Sequence, residues 1–310
     1  MSQAIGGQAV LEGVMMRGPR NWAVAVRTPE GAIAHVARTV DPLMARNRLA
    51  RLPIVRGVIA LGESMAIGFR ALSVSAQYAA TESQAGDAAT GADDDPAEIG
   101  RWAIGISFVI AIGFAIAVFK VGPALITDTF PISNGTVFVL VEGLVRITVL
   151  VLYLGLLSFV PNLKRVWQYH AAEHKAINAY EAGDELTPEN AQRRSLIHPR
   201  CGTTFLFWVM LISVLVYAPF GRLPIVWLVV TRIVLLLPIF GISYELIRFA
   251  GRHADNRLLM TLLAPGLVLQ RLTTRQPTLD QLEVSIRALR EVLDMEGRLT
   301  PADARVEVIA

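Results

Sequence analysis

The chain has 310 residues, 53% of them hydrophobic, and a mean hydropathy of +0.48, too apolar for an ordinary soluble protein of this length. Its formal net charge is only +3, so no nucleic-acid partner is expected and the distribution of charge matters more than its sum. A single cysteine excludes an intrachain disulfide and suits a reducing compartment.

Residues 1–18 lack a basic stretch followed by an apolar core, so no cleavable signal peptide is expected. Residues 6–19 hold Gly6, Gly7, Gly13 and Gly18 and read as a turn-rich approach to a hairpin. The glycines match neither a phosphate-loop nor a dinucleotide spacing, and Met15-Met16 reads as packing. Residues 22–28 and 32–40 alternate apolar and polar side chains around Pro29-Glu30-Gly31, which predicts a β-hairpin. In 54–78, Ile54, Val58, Leu61, Met65, Phe69 and Leu72 recur at helical spacing, with Arg56, Glu63 and Arg70 mostly off that stripe. This predicts an amphipathic helix, lying on a membrane or packed on another part of the chain. Residues 81–100 include Asp93-Asp94-Asp95-Pro96, bury too little apolar surface to order themselves and read as an acidic flexible linker.

Four stretches are long and apolar enough to cross a bilayer: 102–121, 136–160, 204–220 and 223–240. Arginines crowd the region before Trp102, the stretch 164–200 and the tail beyond Tyr244, whereas the other two connections carry little positive charge. Four spans with both termini and the 161–203 loop in the cytoplasm satisfy the positive-inside rule. The expected organisation is an N-terminal cytoplasmic segment (1–80), the linker (81–100), two spans (101–160), a polar loop (161–203), two more spans (204–241) and a cytoplasmic helical tail (242–310). The fold class is thus mainly α: a polytopic membrane protein with a mixed α/β cytoplasmic portion containing an N-terminal β-hairpin. Glu142, Arg146 and Arg232 fall inside spans, where charges need partners. At about 1.5 Å per residue, Glu142 and Arg232 reach similar depths and are expected to pair, with Arg146 sharing the carboxylate. In the tail, Thr278 with Gln281 reads as a capping box for a helix with a stripe of Leu279, Leu282, Ile286, Leu289 and Leu293.

The second span is expected to continue past Pro161 as a helix to Glu181, on which His170, His174, Asn178 and Glu181 recur every three or four residues. Gly183 offers a stop, and Thr187-Pro188 reads as an N-cap with proline at the first helical position. Three of the five histidines and the one cysteine lie in 170–201. Histidines four apart share a helix face and can grip one ion. If the chain folds back, His198 and Cys201 join them, a donor set that suits zinc; other transition metals fit the same pattern. His170-Ala171-Ala172-Glu173-His174 also matches the inverted zincin pattern, in which the glutamate activates water. The further ligand could come from His198, Cys201, Glu181 or Glu245. The competing reading is a polar juxtamembrane helix, with Glu173 a salt-bridge partner of Lys175 or an arginine.

Three segments carry a resemblance: Gly6-Gly7-Gln8-Ala9-Val10-Leu11-Glu12-Gly13-Val14-Met15-Met16-Arg17, Tyr169-His170-Ala171-Ala172-Glu173-His174-Lys175 and His198-Pro199-Arg200-Cys201-Gly202-Thr203. With Pro265-Gly266, Leu269-Gln270, Leu272-Thr273-Thr274 and Gln281-Leu282-Glu283-Val284, the chain resembles the bacterial YqhQ-like family over nearly its whole length. The resemblance implies a membrane protein described as a predicted metal-dependent enzyme, with His170, Glu173, His174, His198 and Cys201 in signature segments, and Gln8, Glu12 and Arg17 likewise. The leading expectation is a hydrolase in the bacterial cytoplasmic (inner) membrane, its partner the lipid bilayer. Zinc would be held by His170, His174 and one or both of His198 and Cys201, with Glu173 as general base and Glu12 or Arg17 contributing. The alternatives are a non-enzymatic scaffold or regulator with a structural metal, and a small-solute transporter.

Overall fold

The computed structural model describes residues 5–87 and 101–298. Four strands come first: β1 (Gly6–Val10), β2 (Gly13–Arg17), β3 (Asn21–Arg27) and β4 (Ile33–Thr39). They pair in chain order as an antiparallel meander. The expected hairpin is β3–β4, but residues 6–17 add two further strands where only a turn-rich approach was expected. Glu12, at φ 50°, lies in the tight β1–β2 turn. The register aligns Gln8, Met15, Val24 and Val36 on one face and Gly7, Met16, Ala23 and Ala37 on the other. Both faces are covered, so β2 as far as Met16 and β3 as far as Val26 are buried. Burial on both sides erases the apolar–polar alternation by which such strands are recognised in a sequence.

Helices follow: α1 (Leu43–Arg46), α2 (Val55–Asp87), α3 (Arg101–Ile116), α4 (Gly122–Asp128), α5 (Gly135–Ser158), α6 (Leu163–Glu181), α7 (Pro188–Gln192), α8 (Gly202–Tyr217), α9 (Ile225–Arg252), α10 (Arg257–Leu269) and α11 (Leu279–Met295). On one face of the sheet, Ile67 and Ala71 of α2 pack against Val10, Met15, Trp22, Val24 and Val26. On the other, Val14, Met16, Ala23 and Ala25 meet α6 through Tyr169, Ala172 and Ala176, and α11 through Leu282, Leu289 and Leu293. The result is a helix–sheet–helix sandwich that holds the first half of α6 from below.

The capping box at Thr278 and Gln281 forms, and the α11 stripe is buried except Leu279, which is 45% exposed. Gly183 ends α6 at φ 76°, and Thr187 caps α7 with Pro188 at its start. The helix expected to run unbroken from the second span to Glu181 is interrupted at residues 159–162, where Pro161 intervenes. The expected acidic linker is helical over residues 81–87, as the end of α2; its remainder, 88–100, lies outside the described residues.

Among the described residues, five helical segments are long and apolar enough to cross a membrane: Val55–Tyr78, Val109–Asp128, Gly135–Ser158, Gly202–Phe220 and Val226–Arg252. Four were expected. The first, within α2, carries the Arg17–Glu63 contact to the sheet at 2.6 Å. It also holds α9 through a two-pronged Arg56–Glu245 ion pair. The expected span at 102–121 extends to Asp128, because a π-helical turn at Ala117–Val121 joins α3 to α4 without ending the helix. Near the middle of this bundle α5 and α8 touch at Gly143, where a Cβ atom would lie 2.3 Å from Val214 Cγ2. Gly143→Leu is expected to force the two helices apart and cost about 1–3 kcal/mol. Thermal unfolding of the purified protein should show the loss, and an unchanged midpoint would mean the contact is loose.

Candidate metal centre

Helix α6 places His170 and His174 one turn apart, and their ring centroids lie 4.5 Å from each other. The chain after α6 folds back along the same face. Lys175 Nζ donates to the carbonyls of Gln192 and Arg194, both at 2.6 Å, and Asn178 Nδ2 to those of Ser195 and Ile197 at 2.9 and 3.2 Å. Burial pushes the Lys175 ammonium pKa below its ordinary value. The fold-back delivers Cys201 as the N-cap of α8, its Sγ accepting the Thr203 N–H and standing 3.3 Å from His170 Nε2. One ligand atom from each of His170, His174 and Cys201 falls within 4.8 Å of the others.

Both imidazoles are oriented from behind. His170 Nδ1 lies 2.8 Å from the Thr273 carbonyl and His174 Nδ1 2.6 Å from that of Leu196. A carbonyl only accepts, so each Nδ1 carries the proton and each Nε2 turns a lone pair toward the cluster. His174 Nε2 is buried and has no hydrogen-bond partner among the described residues, a costly condition for an acceptor that a cation between the rings and Sγ would relieve. The donor set therefore fits a zinc-type divalent ion.

Glu173 is 5% exposed, and its Oε2 lies 3.6 Å from His174 Nε2. Burial pushes its pKa up to about 7, against the opposing influence of His170, Arg200 and the Gly7 backbone N–H. Gly7 lies so close that a Cβ atom there would stand 2.6 Å from Glu173 Cγ. The glycine is required by close approach of β1 to the carboxylate, a role its place in the sequence does not reveal.

His198 borders the cluster, its ring centroid 5.9 Å from that of His174. Its Nε2 is engaged with Glu181 Oε2 at 3.4 Å. Burial depresses the His198 pKa to about 4, so the ring is neutral. Burial raises the Glu181 pKa, but the His198 hydrogen bond and the Arg200 guanidinium outweigh it and hold this carboxyl well below the usual carboxylate range. The turn is fixed from a third side by Gln270, fully buried, which bonds the His198 N–H and carbonyl at 2.9 and 2.8 Å and Thr204 Oγ1 at 2.7 Å. Sequence reasoning did not assign Gln270 and Thr273 to the site. Their signal was a short polar run, Gln270 to Thr274, directly after the apolar α10.

The structure does not bring Glu12 and Arg17 to the cluster. Glu12 pairs with Arg165 and lies 3.4 Å from the Tyr169 hydroxyl. Arg17 occupies the sheet face opposite Gly7 and Glu173, because it is two residues from Met15, and binds Glu63 and Ser64 of α2 at 2.6 and 2.7 Å. Both act as fasteners between elements. Glu245 is taken by Arg56.

Residues 52–295 match the family described as "Protein of unknown function (DUF1385)". The chain is 33% identical over 299 residues to a protein of Bacillus subtilis (strain 168) described as "Uncharacterized protein YqhQ", covering 95% of this chain and 93% of that one. No solved structure matches.

Proposed function

This chain belongs to the DUF1385 family, and on that premise we propose that it is a membrane-bound metal-dependent hydrolase working at the cytoplasmic face. The observation that carries the reading is the convergence of His170, His174 and Cys201 with a buried, unpartnered His174 Nε2 beside the Glu173 carboxylate. His170, His174 and Cys201 would hold the ion, and a set of three protein ligands is the pattern of catalytic rather than structural zinc. A divalent ion held there supplies Lewis acidity toward a carbonyl or phosphoryl oxygen. The chain's own contribution is orientation and proton transfer. Thr273 and Leu196 hold the imidazoles by their Nδ1–H groups, and the Gly7 N–H fixes the Glu173 carboxylate. Glu173, with its pKa near neutrality, accepts a proton from the attacking water at its carboxylate and returns it to the leaving group.

Membrane insertion with four spans is supported by a parity argument. Strands β1–β4 precede α2, yet they pack in one body with α6 and α11, so all three lie on one side of a bilayer. Two crossings between the sheet and α6 keep them together; a third, through α2, would separate them. Helix α2 then lies against the sheet and along the membrane surface, where Met65, Phe69 and Leu72 remain exposed. Topology reporters fused at Thr136 and Gly221 are expected outside and one at Gly183 inside; an external signal at Gly183 overturns this arrangement.

The hydrolase reading is tested by comparing metal-stripped and zinc-reloaded protein on chromogenic phosphoester, carboxyl ester and peptide substrates. Metal-dependent turnover of one class, absent from His170→Ala/His174→Ala, is the expected result. A chain that holds metal firmly yet turns over none of the three is a scaffold with a structural metal.

A further inference from the structure

A second cluster of charges lies far from the metal centre, within the apolar bundle. Glu142 and Arg146 of α5 form an ion pair one helical turn apart, and Arg232 of α9 reaches the other carboxylate oxygen at 3.6 Å. Lys120, in the π-helical turn between α3 and α4, stands near them through the Tyr217 ring that it shares with Arg232. Tyr217 of α8 organises the cations. Arg232 stacks over its ring at 3.8 Å and Lys120 Nζ stands 5.7 Å from the same ring, while its hydroxyl donates to the Arg232 carbonyl.

Two guanidiniums therefore share one carboxylate, with a third cation on the far side of the Tyr217 contact, an excess of positive charge in a low-dielectric setting. Guanidinium donors are also unsatisfied: Arg146 Nε and Arg232 Nη1 are buried without hydrogen-bond partners among the described residues, and Arg146 is only 3% exposed. A pairing built only to neutralise charge needs a single arginine. The π-helical turn adds to the case, since such turns in otherwise regular helices recur where a side chain is aimed for function.

The cluster lies near a polar end of the bundle. Asp128, Gly135 and Arg222 meet at one end of the bundle: Arg222 pairs with Asp128 at 3.3 Å, and Gly135 packs on the Arg222 backbone. Glu142 and Arg232 each lie seven residues inside α5 and α9 from that end, about 10 Å. Side chains lean toward the N-terminus of their helix, which brings both heads nearer the polar end. Lys120 is exposed, so the cluster reaches the surface through this side chain.

We infer that Lys120, Arg146 and Arg232 form a binding site for a phosphate-type oxyanion, either a lipid phosphodiester or free phosphate. Two planar guanidinium forks and a mobile ammonium suit the oxygens of such a group, which would take up the unused donors and the excess charge together.

The test uses the whole protein in phosphatidylcholine nanodiscs, titrated with inorganic phosphate in one arm and doped with phosphatidylglycerol in the other. The thermal midpoint is read throughout, and retained lipid is counted by native mass spectrometry. A rise in midpoint with either probe, reduced about tenfold in apparent affinity by Lys120→Met and by Arg232→Met, is expected. Response to phosphatidylglycerol alone identifies a lipid headgroup; response to phosphate alone identifies a free anion. Arg222→Met, which removes a cation at the same end but outside the cluster, should leave the response intact. Lys120 is exposed and its replacement leaves the buried pair in place, so misfolding of the Arg232 variant does not remove the test. No response to either probe overturns the inference, as does a response undiminished by Lys120→Met or reduced equally by Arg222→Met.

Discussion

Purified protein is expected to carry about one divalent transition-metal ion per chain, and His170→Ala/His174→Ala to carry almost none. In the native chain two imidazoles and a thiol converge, with ligand atoms within 4.8 Å of one another, and the fold holds both imidazoles through their Nδ1 atoms. Leaving His174 Nε2 unsatisfied costs about 1–3 kcal/mol, so the ion is expected to stabilise the folded state as well as bind it. At a free metal concentration a thousandfold above Kd the gain is about 4 kcal/mol, and chelation should lower the thermal midpoint accordingly. Cys201→Ser should weaken retention, because a hydroxyl is a poorer zinc ligand than a thiolate. His198→Ala is expected to keep the metal, since that ring already faces Glu181. Equal metal content in the native chain and the double histidine variant, measured by elemental analysis, would sink the centre altogether.

The parts of this centre that depend on local spacing were legible in the sequence. His170 and His174 share a face because they are four apart on a helix; Gly183 and Thr187-Pro188 mark the reversal that brings Cys201 back. What depends on tertiary contact was not. Strand β2 is buried on both faces as far as Met16, which removes its period-two pattern, and the need for glycine at position 7 arises from Glu173, 166 positions away in the chain, together with the Met15 carbonyl. Glu12 and Arg17 sit in the same glycine-rich segment as Gly7, yet the alternation of a strand sends Arg17 to the α2 face and the turn sends Glu12 toward Arg165. Glu142 and Arg232 could be paired from their depths alone. Lys120 could not be added, because the π-helical turn that presents it leaves no mark in the apolar run.

The sharpest separation of enzyme from scaffold comes from Glu173. If it transfers the proton of an attacking water, Glu173→Gln keeps the shape and burial of the side chain but loses its basicity. Metal content should then stay at the native level while kcat falls by about 10²–10⁴-fold, the usual contribution of a positioned base. Gly7→Ala offers a second route to the same end without altering the carboxylate. Its new Cβ would stand 2.6 Å from Glu173 Cγ and 2.8 Å from the Met15 carbonyl oxygen, so the glutamate and the β1–β2 backbone must both give. A displacement near 1 Å can cost about 10²-fold in rate, again with the metal retained. Elemental analysis and turnover, measured on the same preparations of both variants, distinguish a base from a ligand. Loss of metal from Glu173→Gln would make the carboxylate a ligand and close the coordination sphere, and native turnover in both variants would leave Glu173 no part in the chemistry.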